Sequence, residues 1–195
     1  MTVDEAFDAC RRRAPRHREN FPVGSWLLPG ERRREVHAIY AFARTADDFA
    51  DENLAALDVP QRLELLDKWE AELDLCLKGE SGQPIFMALH RTIERGQLPV
   101  QLFRDLMSAF RQDMGKGRYA DFDELKDYCR RSANPIGRLV LHIFGYRDEE
   151  RMRLSDRICT ALQLTNFFQD LSADLDRDRI YLPRDEMENF GVTEE

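Results

Sequence analysis

No stretch of this 195-residue chain approaches the roughly 18 consecutive apolar residues that a membrane-spanning helix needs, and charge begins at Asp4, which leaves no room for a secretory leader. A cytoplasmic protein is expected. Cysteine is scarce and scattered: Cys10, Cys76, Cys129 and Cys159 form no Cys-x-x-Cys, which argues against both a disulfide framework and a thiolate zinc site. They read as reduced thiols, three of them buried. Strand-type alternation is missing, as is a Gly-rich nucleotide-binding turn. The net charge of -8 argues against a nucleic-acid partner. Local basic clusters at Arg11 to Arg13, Arg16 to Arg18 and Arg32 to Arg34 read first as solvated helix faces with i,i+4 partners.

What remains is the composition of one helical domain over 1–195. At 43% hydrophobic and 34% charged residues the usage is that of an ordinary globular chain, and the length is enough for one substantial core. Prolines 60, 84, 99 and 135 sit where helices would start. The punctuation predicts helices over Asp4 to Arg18, Glu31 to Glu52, Pro60 to Lys78, Pro84 to Arg95, Pro99 to Met114, Phe122 to Arg131, Pro135 to Phe144 and Glu149 to Leu175. The fold class is all-α, with short connections.

Two of these helices carry acidic pairs. In Tyr40-Ala-Phe-Ala-Arg44-Thr-Ala-Asp47-Asp48-Phe-Ala-Asp51, a turn of about 100° per residue puts Tyr40, Arg44, Asp47 and Asp51 within an arc of about 60°, with Asp48 just outside it. In the second, Gln163, Asn166, Asp170 and Asp174 share an arc of about 80°. A solvated acidic face is the plain alternative. Yet from Val36 to Ala46 only His37 and Arg44 can carry charge, and from Ile158 to Gln169 nothing can, so both helices read as buried. Buried carboxylates close together hold protons unless cations neutralise them. Magnesium suits such oxygen ligands and bridges them to phosphates, and no His or Cys stands at ligand spacing beside the pairs. Asp47, Asp51, Asp170 and Asp174 are therefore the candidate ligands of a Mg²⁺ clamp for a diphosphate. Arg44 could pair bidentately with phosphate oxygens or form a salt bridge to Asp47 or Asp48. Gln163 and Asn166 could reach a metal or its water, or could join helices by hydrogen bonds.

Asn20-Phe21 through Leu27-Leu28-Pro29, Tyr40 to Asp51, Tyr128-Cys129, Asn166 to Asp174 and Arg179-Ile-Tyr181-Leu-Pro183 run almost end to end. Together they resemble the squalene and phytoene synthase family of head-to-head prenyl transferases. Asn20-Phe21-Pro22, Ala43 to Asp48 and Ser132-Ala-Asn-Pro-Ile-Gly137 are most similar to its bacterial hopanoid-pathway branch, which includes hydroxysqualene synthase. The resemblance implies an isoprenoid-synthase-type helical bundle around a central pocket, and Mg²⁺-dependent conversion of presqualene diphosphate to hydroxysqualene by ionisation and water capture. A sibling activity, the condensation of farnesyl diphosphate to presqualene diphosphate, squalene or a phytoene-type product, would use the same aspartates. By the same resemblance Tyr40 and Tyr128 line the pocket, where they orient diphosphate or stabilise a cation, a satisfied core tyrosine being the alternative. His17, with Arg18, lies near the early motif as a diphosphate contact. A water-poor, π-rich wall would come from among Phe21, Phe42, Phe49, Phe167 and Phe168. The basic clusters would suit peripheral contact with an anionic membrane, since the product is a lipid.

The chain also departs from the family pattern. Ala133-Asn134-Pro135-Ile136-Gly137 replaces an Ala-Gly-x-Val-Gly stretch, and Arg18, Asn20 and Gln169 stand where serines and a basic residue are frequent. The family is longer, so a helical region that closes the far side of the pocket is expected to be absent after Gly191-Val-Thr-Glu-Glu195. Two rivals are a terpene cyclase, whose second motif mixes Asn, Ser and Glu, and a non-catalytic assembly protein, which would be expected to have lost some of the aspartates.

Overall fold

The computed structural model describes residues 1–13, 28–50 and 57–194. Among them are ten helices: α1 (Val3–Arg13), α2 (Gly30–Ala50), α3 (Val59–Leu77), α4 (Pro84–Gly96), α5 (Val100–Asp113), α6 (Phe122–Ser132), α7 (Asn134–Ile143), α8 (Glu149–Gln169), α9 (Leu171–Leu175) and α10 (Arg184–Asn189). No strand occurs among the described residues, whose one isolated bridge joins Arg118 and Ile180. None of the described helices is long and apolar enough to cross a membrane.

The helix starts have local causes. Pro60, Pro84 and Pro135 stand in the first turns of α3, α4 and α7, where a missing N–H costs nothing, and Pro99 is the residue before α5. Asp58 and Gln61 form a reciprocal capping box on α3. Asp121 and Asp148 accept from the third N–H of α6 and α8 at 2.8 and 3.0 Å.

Around α2 the other helices build the main core, since α2 touches α1, α3, α4, α5 and α7. Ala38, Phe42 and Ala46 are wholly buried on it, and the Phe42 ring lies 6.0, 5.8 and 5.4 Å from the rings of Trp69, Phe86 and Phe103. A second, smaller cluster joins Ala109, Tyr119, Leu125, Tyr128, Cys129 and Phe167, with Leu164 and Tyr181 against it. Cys10, Cys76 and Cys129 are buried, Cys159 is half-buried, and all four are free thiols, as the sequence predicts. Helices α7 and α8 approach closely at Gly137, where a Cβ would meet Ser155 Oγ at 2.4 Å and Cys159 Sγ at 2.5 Å.

Two expectations fail. The helix predicted over Glu149 to Leu175 is broken at Asp170, whose φ and ψ of -95° and 8° leave the α region. The backbone ladder almost spans the break, with Asp170 N donating to Asn166 O and Asp174 N to Asp170 O at 2.9 Å each, so the hydrophobic period runs on across it. Asp170 and Ser172, poor helix formers, sit at the kink. Helix α8 is also not buried: only Met152 and Phe167 are, while Leu154, Ile158, Leu162 and Phe168 face outward. It lies at the edge of the bundle and, among the described residues, packs mainly on α6, α7 and α9. The sequence reading also placed no helix at α10, although Pro183 stands before it, Asp185 and Glu186 lie in its first turn and Gly191 follows its end. The end of the Asp4 to Arg18 helix and of the Glu31 to Glu52 helix lies outside the described residues.

Residues 178–185 return along the loop between α5 and α6. Ile180 N donates to Gly117 O at 2.8 Å, Arg184 N to Tyr119 O at 2.9 Å and Asp185 N to Ala120 O at 3.2 Å. A Cβ on Gly117 would stand 2.6 Å from Asp178 O, so this approach needs glycine. Gly117→Ala is expected to destabilise the fold by about 1–3 kcal/mol through overpacking. Thermal melting checks it, and an unchanged melting temperature would mean that the 178–181 segment shifts freely.

Candidate functional site

On α2 the helical period sets Tyr40, Arg44 and Asp47 along one side, all of them half-buried. Arg44 Nη1 donates to Asp47 Oδ2 at 2.8 Å, and its Nε lies 3.0 Å from Asp48 Oδ1 as an ion pair. Arg13 of α1 donates to the other Asp48 oxygen at 2.7 Å. The salt-bridge reading of Arg44 thus holds in this state of the protein. Since these groups keep some contact with solvent, the pairs orient the side chains more than they stabilise the fold. Asp51, His17 and Phe21, with Arg18 and Asn20, lie outside the described residues.

The second motif uses the kink. Gln163 and Asn166 are half-buried on α8, Asp170 is exposed at the break and Asp174 is half-buried on α9. Burial first, and then the charge of Asp170, push the Asp174 carboxyl above its usual range, against the pull of Arg179 and Arg177. After α9 the chain folds back on Asp174 O, which accepts from Arg177 N and Arg179 N at 3.0 and 2.8 Å. A left-handed turn at Asp178, φ 55°, completes the reversal. Arg179 is thereby brought to the end of α5, where its Nη2 donates to Asp113 O at 3.3 Å.

Beside the motif stands an aromatic wall. Phe167 and Tyr181 stack at 3.9 Å with an interplanar angle of 3°, and Tyr128 lies 6.1 Å from each. Tyr119 is 5.6 Å from Tyr128 and from Tyr181. The buried Tyr128 phenol feels the charge of Asp113 and lies beside Tyr181. Burial, reinforced by Asp113, raises the Tyr128 phenol far above its ordinary range, and burial with Asp113 pushes Tyr181 up to about 12. Both stay protonated at neutral pH. Among the phenylalanines expected to line a pocket, Phe167 belongs to this wall, Phe42 and Phe49 pack on Trp69 in the main core, and Phe168 is 61% exposed on the outer side of α8.

Asp113 is the residue that the sequence reading passed over. Burial pushes its carboxyl up to about 7, opposed by Tyr128 and by Arg179, and the charge of Asp47 adds to the rise. A signal existed: Asp113 follows Leu106 by seven residues and Ala109 by four, on the buried face of α5.

Among the described residues no three His, Cys, Asp or Glu lie close enough to hold a metal. The donors near the second motif are nonetheless all oxygen, and the Asp170 and Asp174 pair would be eased by a divalent cation. Several of the basic residues are engaged within the fold: Arg11 with Asp8, Arg32 with Glu35, Arg33 with Leu28 O, and Arg34 with Asp4. The Pro135 departure starts α7 and leaves Asn134 buried, its Oδ1 accepting from Thr160 of α8 at 3.0 Å.

The squalene/phytoene synthase family model matches residues 14–195. The chain is 42% identical over 175 residues to a hydroxysqualene synthase of Rhodopseudomonas palustris, which covers 89% of this chain and 58% of that one. With phytoene synthase 2 of Solanum lycopersicum the identity is 34% over 199 residues, covering 99% and 63%. Of the solved structures, squalene synthase HpnC from Alicyclobacillus acidocaldarius superposes with a TM-score of 0.90 at 46% identity, over 98% of this chain and 71% of that one. A dehydrosqualene synthase in complex with ligand gives 0.87 at 25% identity, over 98% and 65%. The chain spans 58% and 63% of the lengths of these two curated relatives.

Proposed function

The chain belongs to the squalene/phytoene synthase family, and from that premise we propose that it acts on a prenyl diphosphate, converting presqualene diphosphate to hydroxysqualene. The observation that carries the reading is the meeting of Asp170, Asp174 and Arg179 beside a wall of Phe167, Tyr128 and Tyr181. Anion-handling groups and a π surface are what the ionisation of an allylic-type diphosphate needs side by side.

Asp47, Asp51, Asp170 and Asp174 would hold Mg²⁺, which would supply Lewis-acid chemistry to the leaving diphosphate. The chain's own part is to present those carboxylates, and to swing Arg44 from Asp47 and Asp48 onto phosphate oxygens. Arg179 adds a second cation at the rim. As the carbon–oxygen bond breaks, both electrons leave with diphosphate. The cation rearranges against the aromatic rings, and a water oxygen bonds to it and sheds a proton. Tyr128 and Tyr181, held as neutral phenols, offer a polarisable surface without a base strong enough to strip a proton from the cation. Gln163, Asn166 and Tyr40 are proposed to hold phosphate or metal-bound water. Contact with an anionic membrane stays a subsidiary proposal, since several of the arginines have partners in the fold.

Condensation of two farnesyl diphosphates is the second reading, favoured by the similarity to phytoene synthases and to a solved squalene synthase. Product analysis by gas chromatography and mass spectrometry separates the two. Hydroxysqualene from presqualene diphosphate, formed with Mg²⁺ and abolished by chelator, is the expected result. Presqualene diphosphate or squalene formed from farnesyl diphosphate, with no hydroxysqualene, would move the assignment to condensation.

A further inference from the structure

We propose that Gln112 is a positioning residue of this site, holding the Tyr119 ring on which the rings of Tyr181 and Tyr128 rest. The inference deepens the proposed function and rests on it for the identity of the reaction. Gln112 belongs to neither acidic motif; a series of hydrogen bonds and ring contacts leads from it to the aromatic wall.

The series starts at Arg131, in the last turn of α6. Its guanidinium donates to Asp127 Oδ2 at 3.0 Å, Ser108 Oγ at 2.9 Å and Gln112 Oε1 at 2.5 Å, and only 15% of the side chain is exposed. Because a guanidinium can only donate, the amide oxygen of Gln112 has to face Arg131, and its NH₂ has to face away. On that other side Nε2 donates to Tyr119 Oη at 3.3 Å. Tyr119 is fully buried, and its ring lies 5.6 Å from that of Tyr181 at an interplanar angle of 24°, and 5.6 Å from that of Tyr128 at 54°. Tyr181 stacks in turn on Phe167 of α8 at 3.9 Å. The backbone around Tyr181 is held to the same loop on both sides, by Ile180 N on Gly117 O and by Arg184 N on Tyr119 O. Gln112 therefore fixes the ring on which the wall packs, and Arg131 fixes Gln112.

The fold itself has little need of this bond. Helices α5 and α6 are already joined by Arg131 on Ser108 and by the buried contacts of Ala109, Leu125 and Cys129, and Lys116 pairs with Glu124 across the loop. A hydrogen bond between neutral groups adds little net stability, and two apolar groups of the same shape would do nearly as well. The polar pair is explained if its task is orientation, because a catalytic surface displaced by about 1 Å can lose on the order of a hundredfold in rate.

The test compares Gln112→Leu, Gln112→Glu and the double variant Gln112→Leu/Tyr119→Phe with wild type. Gln112→Leu is expected to lose on the order of tenfold to a hundredfold in kcat with KM little changed, because the diphosphate contacts are untouched. Gln112→Glu still accepts from Arg131, and its second oxygen accepts from the Tyr119 hydroxyl, so it is expected to recover most of that loss. The double variant removes the stranded hydroxyl, so its melting temperature should return toward the wild-type value while kcat stays low. A purely structural role predicts instead that kcat returns with stability, and that result in the double variant would overturn the proposal. The ring proton resonances of Tyr181, assigned by their loss in Tyr181→Phe, report its stacking on Phe167 without any substrate. They should move in the double variant and stay in place in Gln112→Glu. If wild type forms no product, the reaction assignment alone fails, while unmoved Tyr181 resonances in the double variant overturn the positioning role whatever the reaction.

Discussion

Asp170→Asn is expected to lower turnover on the order of 10²–10³-fold while leaving helix content and melting temperature at the wild-type level. The residue is exposed at the kink between α8 and α9, and its side chain caps neither helix. Its backbone N–H and carbonyl complete the ladder through Asn166 and Asp174, which asparagine would preserve. What asparagine removes is the anionic charge beside Asp174. Relieving that repulsion does not harm the fold, because the same charge helps push the Asp174 carboxyl up. Loss of turnover in a well-folded variant therefore isolates the diphosphate chemistry. Circular dichroism with steady-state kinetics checks it, and near-normal turnover would remove Asp170 from the clamp.

The largest effect on stability is expected at Phe42. Its ring is fully buried among Trp69, Phe86 and Phe103, and it sits one turn before Ala46 on the helix that presents Arg44 and Asp47. Phe42→Ala removes a ring from the centre of a close-packed core and leaves a cavity that the surrounding rings can fill only in part, so about 3–5 kcal/mol of stability should be lost. For a chain of this size that is a fall of roughly 6–20 °C in melting temperature. A loss below about 1 kcal/mol would show that the site collapses, and the view of α2 as the rigid spine of the bundle would then be wrong.

How much of this could be read in the sequence differs from element to element. Helix starts were legible because proline and capping aspartate act locally: Pro84, Pro135, Asp58 and Asp121 need no tertiary context. The one-sided placement of Tyr40, Arg44 and Asp47 was likewise a matter of helix period. The kink at Asp170 was not legible, because the polar stripe and most of the backbone hydrogen bonds continue through it. Nor was the exposure of α8. A charge-free run from Ile158 to Gln169 fits a buried helix and an edge helix equally well, and only the packing partners decide. Asp113 escaped for a third reason. Its setting depends on Tyr128 and Arg179, both distant in the chain, and on a chain reversal at Asp178 that no turn motif announced.

The central claim, that the second acidic motif and the arginines near it hold a magnesium diphosphate, can be met without any substrate. Titration calorimetry of inorganic diphosphate into the protein, with Mg²⁺ or with chelator, and repeated with Asp170→Asn and Asp174→Asn, measures it directly. The account predicts binding that requires Mg²⁺ and is lost in both variants. Equal binding with and without Mg²⁺, or binding undiminished in both variants, would contradict it.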